Sequence, residues 1–264
     1  MLKIQNLNKV FSKNTVDENI LFKNFHIATN KGDFVTVIGS NGAGKSTLLN
    51  IIAGSVAMDK GDIFIKGKNI TALSEHKRAR FIGRVFQNPS MGTASNMTIL
   101  ENLSMAYNKN KPFNLTPGVN KKNLELFKNK LRTLEIGLED KLNTKVGLLS
   151  GGQRQALCLV MAMLGEPELL LLDEHTAALD PKTSEKIIEL TEKVIKENSV
   201  TTLMVTHNLN HAIKLGNRLV MMNRGEVVLD ISGEEKRKLT VDRLIDKFSN
   251  LNGEDYFSDR MLLA

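Results

Sequence analysis

Gly39-Ser40-Asn41-Gly42-Ala43-Gly44-Lys45-Ser46-Thr47 fits the pattern G-x-x-x-x-G-K-[ST]. Such a run lets backbone N–H groups close around clustered phosphates, because glycine puts no side chain in the way. Gly39, Gly42 and Gly44 supply that room. Lys45 reaches the β and γ phosphates of a nucleoside triphosphate, and the Ser46 hydroxyl is offered to Mg²⁺, an ion that keeps several waters and takes few protein ligands. Farther on, Asp173 and Glu174 follow the apolar run Leu169 to Leu172. A carboxylate at the C-terminal end of such a strand is placed to hold Mg²⁺ through water beside a phosphate loop. Glu174 points the other way and can polarise an attacking water as general base.

These groups need elements to hold them. Lys3 to Lys9 and Asp33 to Ile38 read as strands, the latter running into the glycine-rich loop. A helix carrying Leu48, Leu49, Ile51 and Ile52 follows the loop and stops at Gly54. Asp62 to Ile65 reads as a short strand with a Gly67-Lys68-Asn69 turn, and Ser74 to Arg80 as helix. Asn88 to Asn96 is rich in Gly, Ser, Asn and Pro and reads as loop. Helices are expected over Thr98 to Tyr107 and Lys121 to Leu134, with an exposed loop over Asn108 to Asn120. Ser150 to Gly165 is apolar almost all round, hence a buried helix. Leu169 to Leu172 reads as a central parallel strand. Lys182 to Glu197 puts Ile187, Ile188, Leu190, Val194 and Ile195 on one helix face. Thr201 to Thr206 is a core strand, and Leu219 to Asn223 with Glu226 to Ile231 a hairpin. After Ser232 the tail is charged and mostly helical. Strand–helix alternation points to an α/β core.

The composition is that of an ordinary globular chain: 264 residues, 41% apolar and 25% charged. The net charge of +7 admits contact with phosphates, an anionic membrane face or nucleic acid. Trp is absent and no basic run is interleaved with aromatics, so no nucleic-acid partner is expected. One cysteine, Cys158, excludes an intrachain disulfide. Met1 to Ile20 lacks the apolar core of a signal peptide, and the longest apolar run, Ala156 to Leu164, is far short of a membrane span. A soluble chain that is not secreted is the expectation.

Leu149-Ser150-Gly151-Gly152-Gln153 resembles the signature motif of ATP-binding cassette (ABC) ATPases. The other motifs stand in that family's order: Phe11, the phosphate loop, Gln87 after a strand, the signature, Asp173-Glu174, Ala178-Leu179-Asp180, and His207 closing a strand. The resemblance covers roughly residues 2 to 230. It implies an α/β P-loop fold with a RecA-like core sheet, an N-terminal antiparallel β subdomain and an inserted helical subdomain. The expected partition is 1–87 and 166–231 as ATPase core, 88–165 as helical signature subdomain and 232–264 as tail. It also implies roles for single residues. Phe11 would stack on adenine, although many relatives have Tyr there. Gln87 would touch Mg²⁺ and the attacking water, and His207 the γ phosphate. Ser150, Gly151, Gly152 and Gln153 would meet the ATP of a partner subunit in a head-to-tail homodimer. Asp180 would link the two sites. Metal contacts would come from Ser46, Gln87 and Asp173.

Organisation narrows the task. Only 128 positions separate Lys45 from Asp173, with no heptads between them, unlike chromosome-maintenance relatives. There is one cassette, unlike the translation factors, and no fused membrane helices, unlike many exporters. The resemblance then implies the separate ATPase subunit of an importer on the cytoplasmic face of the membrane. It would work with permease subunits and, through them, an extracellular or periplasmic substrate-binding protein, and residues 88–97 would grip a short permease helix. His175, where many cassettes have Pro, and Met91-Gly92-Thr93-Ala94 look like uptake systems for tryptophan or tyrosine type amino acids. An ATPase of an exporter or lipid-extraction system, or one acting on ribosome or DNA, stays open as an alternative.

Overall fold

The computed structural model describes residues 1–111, 115 and 117–252. They fall into two compact units, residues 1–79 together with those from 199 onward, and residues 80–198. In the first unit the chain forms β1 (Leu2–Phe11), β2 (Asn19–Ala28), β3 (Phe34–Gly39), α1 (Lys45–Ala53), β4 (Lys60–Ile65), β5 (Lys68–Asn69) and α2 (Glu75–Arg78). The second unit carries β6 (Ile82–Val85), α3 (Ile99–Asn108), α4 (Leu124–Arg132), α5 (Gly151–Met163), β7 (Leu169–Asp173) and α6 (Pro181–Asn198). The first unit resumes with β8 (Thr201–Val205), α7 (Leu209–Lys214), β9 (Arg218–Asn223), β10 (Glu226–Ser232), α8 (Gly233–Arg237) and α9 (Val241–Asn252).

The first unit holds two kinds of sheet. An antiparallel one runs β2-β1-β4-β5, with Ile4 opposite both Ile27 and Ile63. In the other, β3 lies between β8 and β9 and is parallel to both, with Val37 in register with Val205 and Val220. β10 returns antiparallel on β9. Every residue of β3 and of β8 is buried, as the continuous apolar pattern of a central parallel strand requires. Ile38, Leu209, Leu219, Met221, Ile231, Leu239 and Leu244 close one core cluster, which ties α7 and α9 to the sheet.

Two buried cations brace this unit. The Arg78 guanidinium donates to the carbonyls of Leu73 (2.8 Å), Ile51 (2.7 Å), Ile52 (3.1 Å) and Thr71 (2.7 Å), meeting the open carbonyls near the end of α1. Lys236, only 3% exposed on α8, donates its ammonium to Leu215 O, to Thr36 Oγ1 at 3.4 Å and to Arg218 O at 3.4 Å. Burial pulls its pKa down to about 8.

The second unit gathers the helices of the 88–165 stretch together with β6, β7 and α6. β6 and β7 pair in parallel, with Arg84 in register with Leu171. Ile99, Leu103, Phe127, Leu131, Leu157 and Val160 form the core of this unit, and the Tyr107 ring stands edge-on to Phe127 at 5.7 Å. On α6, Thr191 is fully buried and Leu190 only partly, so the apolar face is rotated slightly from the expected one.

Three elements depart from the expectation. β2 was not anticipated; Lys23, Asn24 and His26 interrupt its alternation, and Asn24 takes a left-handed φ of 53° where the register with β1 shifts. Lys68 and Asn69, read as turn, pair with Ile65 and Phe64 as β5. The helix expected from Lys121 opens as a 3₁₀ turn at Lys121–Asn123 before α4. Of the expected tail, residues 253–264 lie outside the described residues, as do residues 112–114 and 116 of the expected loop.

Candidate functional site

β3 delivers the phosphate loop. A Cβ on Gly39 would lie 2.1 Å from the Met222 carbonyl oxygen of neighbouring β9, so only glycine lets the chain leave the sheet there. Gly44 caps α1 at φ 96°, and a Cβ on it would meet the Phe22 ring at 2.9 Å. Asn41, Gly42 and Ser46 are exposed, and Ala43, Gly44 and Lys45 are buried. The loop thus presents its outer backbone and the start of a helix to solvent, the arrangement that receives an anion. Lys45 lies back along the loop, its ammonium donating to Gly39 O at 2.7 Å and Ser40 O at 2.9 Å. Thr47, half-buried, begins the apolar turns of α1.

Phe11 ends β1 and is 38% exposed, with the Lys9 ammonium 4.8 Å from its ring centroid. Lys9 is in register with Phe22, the ring that abuts Gly44, so β1 and β2 set Phe11 relative to the loop. His207 follows β8. Thr206 N donates to Val37 O at 3.1 Å, which places His207 at the same sheet end as Gly39. Asn208 then caps α7 by accepting from His211 N at 2.9 Å, so His207 is held half-buried between a strand end and a helix start.

The second unit arranges the remaining candidates. β7 is buried from Leu169 to Leu172 and surfaces at Asp173, whose carboxylate lies 3.7 Å from the Arg84 guanidinium. Glu174 turns away at φ 44°, a left-handed conformation uncommon outside glycine, and its carbonyl accepts from Ala177 N at 2.9 Å. His175 is 1% exposed, with Nε2 3.0 Å from Thr191 Oγ1. The Thr191 hydroxyl donates to Ile187 O at 2.7 Å, so His175 Nε2 must be the donor in that pair. His175 is therefore an anchor of the turn to α6, one residue from Glu174.

Ser150 and Gln153 form a capping box: Ser150 Oγ accepts from Gln153 N and Gln153 Oε1 from Ser150 N, both at 3.2 Å. The signature glycines permit close packing, since a Cβ on Gly152 would lie 2.3 Å from Thr183 Cγ2 and one on Gly151 3.2 Å from Leu179. Asp180 caps α6 by accepting from Thr183 N at 3.0 Å, and its hydrogen bonds with Thr183 hold its carboxyl below the usual range. The signature and the Asp180 turn are thus neighbours.

Gln87 lies two residues past β6 and opens the 88–97 loop. Three residues not anticipated organise that loop. Asn102, fully buried on α3, accepts from Ala94 N at 2.8 Å and donates to Ala94 O at 3.1 Å. Arg154 donates to Ser90 Oγ at 3.1 Å and to Gly147 O at 3.2 Å, joining the loop to the signature helix. Gln155 donates to Phe86 O at 3.2 Å. The sequence signal for Gln155 is a polar residue in a helix otherwise apolar on its buried side.

The donor chemistry suits ATP and Mg²⁺. The Ser46 hydroxyl and the Asp173 carboxylate are each hard oxygen donors, the kind that Mg²⁺ takes.

The ABC transporter family model matches residues 22–177. The chain is 51% identical over 250 residues to the tyrosine transport ATP-binding protein of Clostridioides difficile (strain R20291), covering 94% of this chain and 98% of that protein. It is 36% identical to the methionine import ATP-binding protein MetN 1 of Listeria innocua, covering 91% of this chain and 70% of that one. Among solved structures, the dimeric ATP-binding cassette MJ0796 bound to ADP and Pi superposes at a TM-score of 0.73 with 31% identity, covering 88% and 98% of the two chains. The ADP conformation of the cassette MJ1267 gives 0.75 at 27%, covering 94% and 98%. With the phosphate loop, the signature helix and the Asp173-Glu174 strand end in place, the chain belongs to the ABC transporter family and is an ATP-binding cassette ATPase.

Proposed function

We propose that this ATPase powers a solute importer whose cargo is an aromatic amino acid of the tyrosine or tryptophan type. The observation that carries the reading is the 51% identity to a tyrosine transport ATP-binding protein along almost the whole of both chains. Identity to a methionine import protein, at 36%, supports import more broadly. Among the described residues no helix is long and apolar enough to cross a membrane, and in this reading separate permease subunits supply the passage. The ATPase acts at the cytoplasmic face of the membrane. An extracellular or periplasmic binding protein delivers cargo through the permease.

In this reading the backbone of residues 39–47 and Lys45 hold the ATP phosphates, and Phe11 receives adenine. Ser46, Gln87 and Asp173 are the residues offered to Mg²⁺, which when bound neutralises phosphate charge as the terminal bond breaks. Glu174 takes a proton from the attacking water, and His207 donates a hydrogen bond to the γ phosphate. Two copies pair, as the dimeric state of the cassette MJ0796 supports; the pairing is head to tail, so that residues 150–153 of each face the ATP of the other. Residues 88–165 transmit closure to the permease through the 88–97 loop.

The test is to tag the chain in its native cell, solubilise membranes in mild detergent and identify what co-purifies. A polytopic permease in 1:1 ratio, with a binding protein that takes tyrosine or tryptophan, is the expected result. Recovery with ribosomes or DNA proteins and no permease overturns the importer. A binding protein that takes only other solutes overturns the cargo alone. Glu174→Gln should form a stable dimer in ATP and Mg²⁺; a monomer there overturns either the role of Glu174 or the dimer itself.

A further inference from the structure

Residues 109–132 hold seven basic side chains and one acidic, Glu125, in a chain whose whole excess is +7. The structure puts this charge on a surface. α4 turns Phe127 and Leu131 into the core of the second unit and leaves Lys130 and Arg132 exposed, while the preceding 3₁₀ turn exposes Lys121 and Lys122. Lys128 has Glu125 at 4.0 Å, and Arg132 donates to Asn129 at 2.7 Å. Among the described residues no carboxylate lies within ion-pair distance of Lys121, Lys122 or Lys130. Leu126, 37% exposed, sits one turn before Lys130.

An ordinary soluble surface intersperses both signs of charge. A one-sign field with an exposed aliphatic residue in it is what an anionic interface selects, each basic side chain strengthening attraction to acidic headgroups and the aliphatic one reaching between them. Lysine dominates over arginine here, and the exposed apolar residue is aliphatic rather than aromatic, which favours a lipid surface over the stacking platforms of nucleic-acid binders. We propose that the outer face of α4 and the 121–123 turn dock on anionic phospholipid headgroups. The choice of a bilayer rests on the transporter reading, and the contact would hold the ATPase against the membrane independently of its grip on a permease.

The experiment is cosedimentation of the full-length protein, without permease, with phosphatidylcholine vesicles and with vesicles containing about one third phosphatidylglycerol. The expected result is salt-sensitive binding to the acidic vesicles only. Lys121→Glu/Lys122→Glu/Lys130→Glu should weaken it at least about ten-fold while leaving solution ATP hydrolysis unchanged. The milder Lys→Gln triple should give an intermediate loss and guards against misfolding of the charge-reversed protein. Equal binding by wild type and variants, or no preference for acidic vesicles, overturns the proposal. Retention on RNA without vesicle binding overturns it in favour of another polyanion. Permease co-purification is read separately, so failure here leaves the transporter reading standing.

Discussion

Gln155, 1% exposed on the signature helix, donates its side-chain amide to the carbonyl of Phe86 at 3.2 Å. The peptide just ahead of Gln87 is therefore tied to the helix that begins at Ser150. This part-buried hydrogen bond is one of the links between them, beside those of Arg154 to Ser90 and Cys158 to Pro89. Gln155→Leu removes the donor and leaves the half-buried Phe86 carbonyl without it, at a cost of about 1 kcal/mol. The variant should bind nucleotide as the wild type does and hydrolyse it several-fold more slowly. Nucleotide titration and steady-state hydrolysis separate the two effects, and unchanged hydrolysis would remove Gln155 from the coupling.

Gly44→Ala should be severe. The new methyl would meet the Phe22 ring at 2.9 Å at a φ of 96°. Strain of about 1–3 kcal/mol and a displaced α1 start are expected, with ATP affinity down at least ten-fold. Gly67→Ala serves as the comparison: it also has a positive φ, of 77°, but nothing within 4 Å of the added methyl. It should lower stability and leave ATP binding intact. Chemical denaturation and nucleotide titration of both variants check this.

Lys236 gives a pH signature. Its folded pKa of about 8 lies below the ordinary 10.5, so the folded protein releases the proton first as pH rises. Stability contributed by this site should therefore climb between about pH 8 and 10.5, by on the order of 1–3 kcal/mol, and be least below pH 8. Lys236→Met should lack that climb. Denaturation of both proteins across the range, compared as a difference, isolates the site from other lysines.

Cys158 should resist alkylation in the native state. Burial pushes its thiol up to about 12, and Sγ lies 3.5 Å from Pro89 O. Labelling with iodoacetamide at pH 8 should proceed only at the rate of local opening and become fast in denaturant. Rapid native labelling would mean that the 88–97 loop opens readily.

How legible the site was in sequence depended on how local its geometry is. The glycines of 39–44 announce a positive-φ loop by type alone, and the apolar run before Asp173 announces a buried strand. Ser150 and Gln153 sit at the capping-box spacing, but the resemblance assigns both to a partner's ATP, and their pairing with each other is visible only in the structure. β2 was hidden because its pattern breaks at Asn24, where the chain bulges. Asn102, Arg154 and Gln155 were hidden because their partners, Ala94, Ser90 and Phe86, lie 8, 64 and 69 residues away along the chain. Periodicity reports which face is buried, and it carries no information about which distant carbonyl a polar side chain meets. His175 shows the same limit: its neighbours in sequence are catalytic candidates, while its own contact is with Thr191 in the core.

The strand that carries the phosphate loop has only late-made neighbours. β3 ends at Gly39, and both strands that flank it, β8 and β9, begin after residue 200. On a ribosome, Phe34-Val-Thr-Val-Ile must wait without a partner until three quarters of the chain has emerged, because such long-range parallel pairing cannot start sooner. A chain stopped near residue 199 would expose that apolar strand on both edges and should collect in inclusion bodies. Newly made chains should depend on a holding chaperone during that interval, and slowing translation ahead of residue 200 should lower the yield of active enzyme.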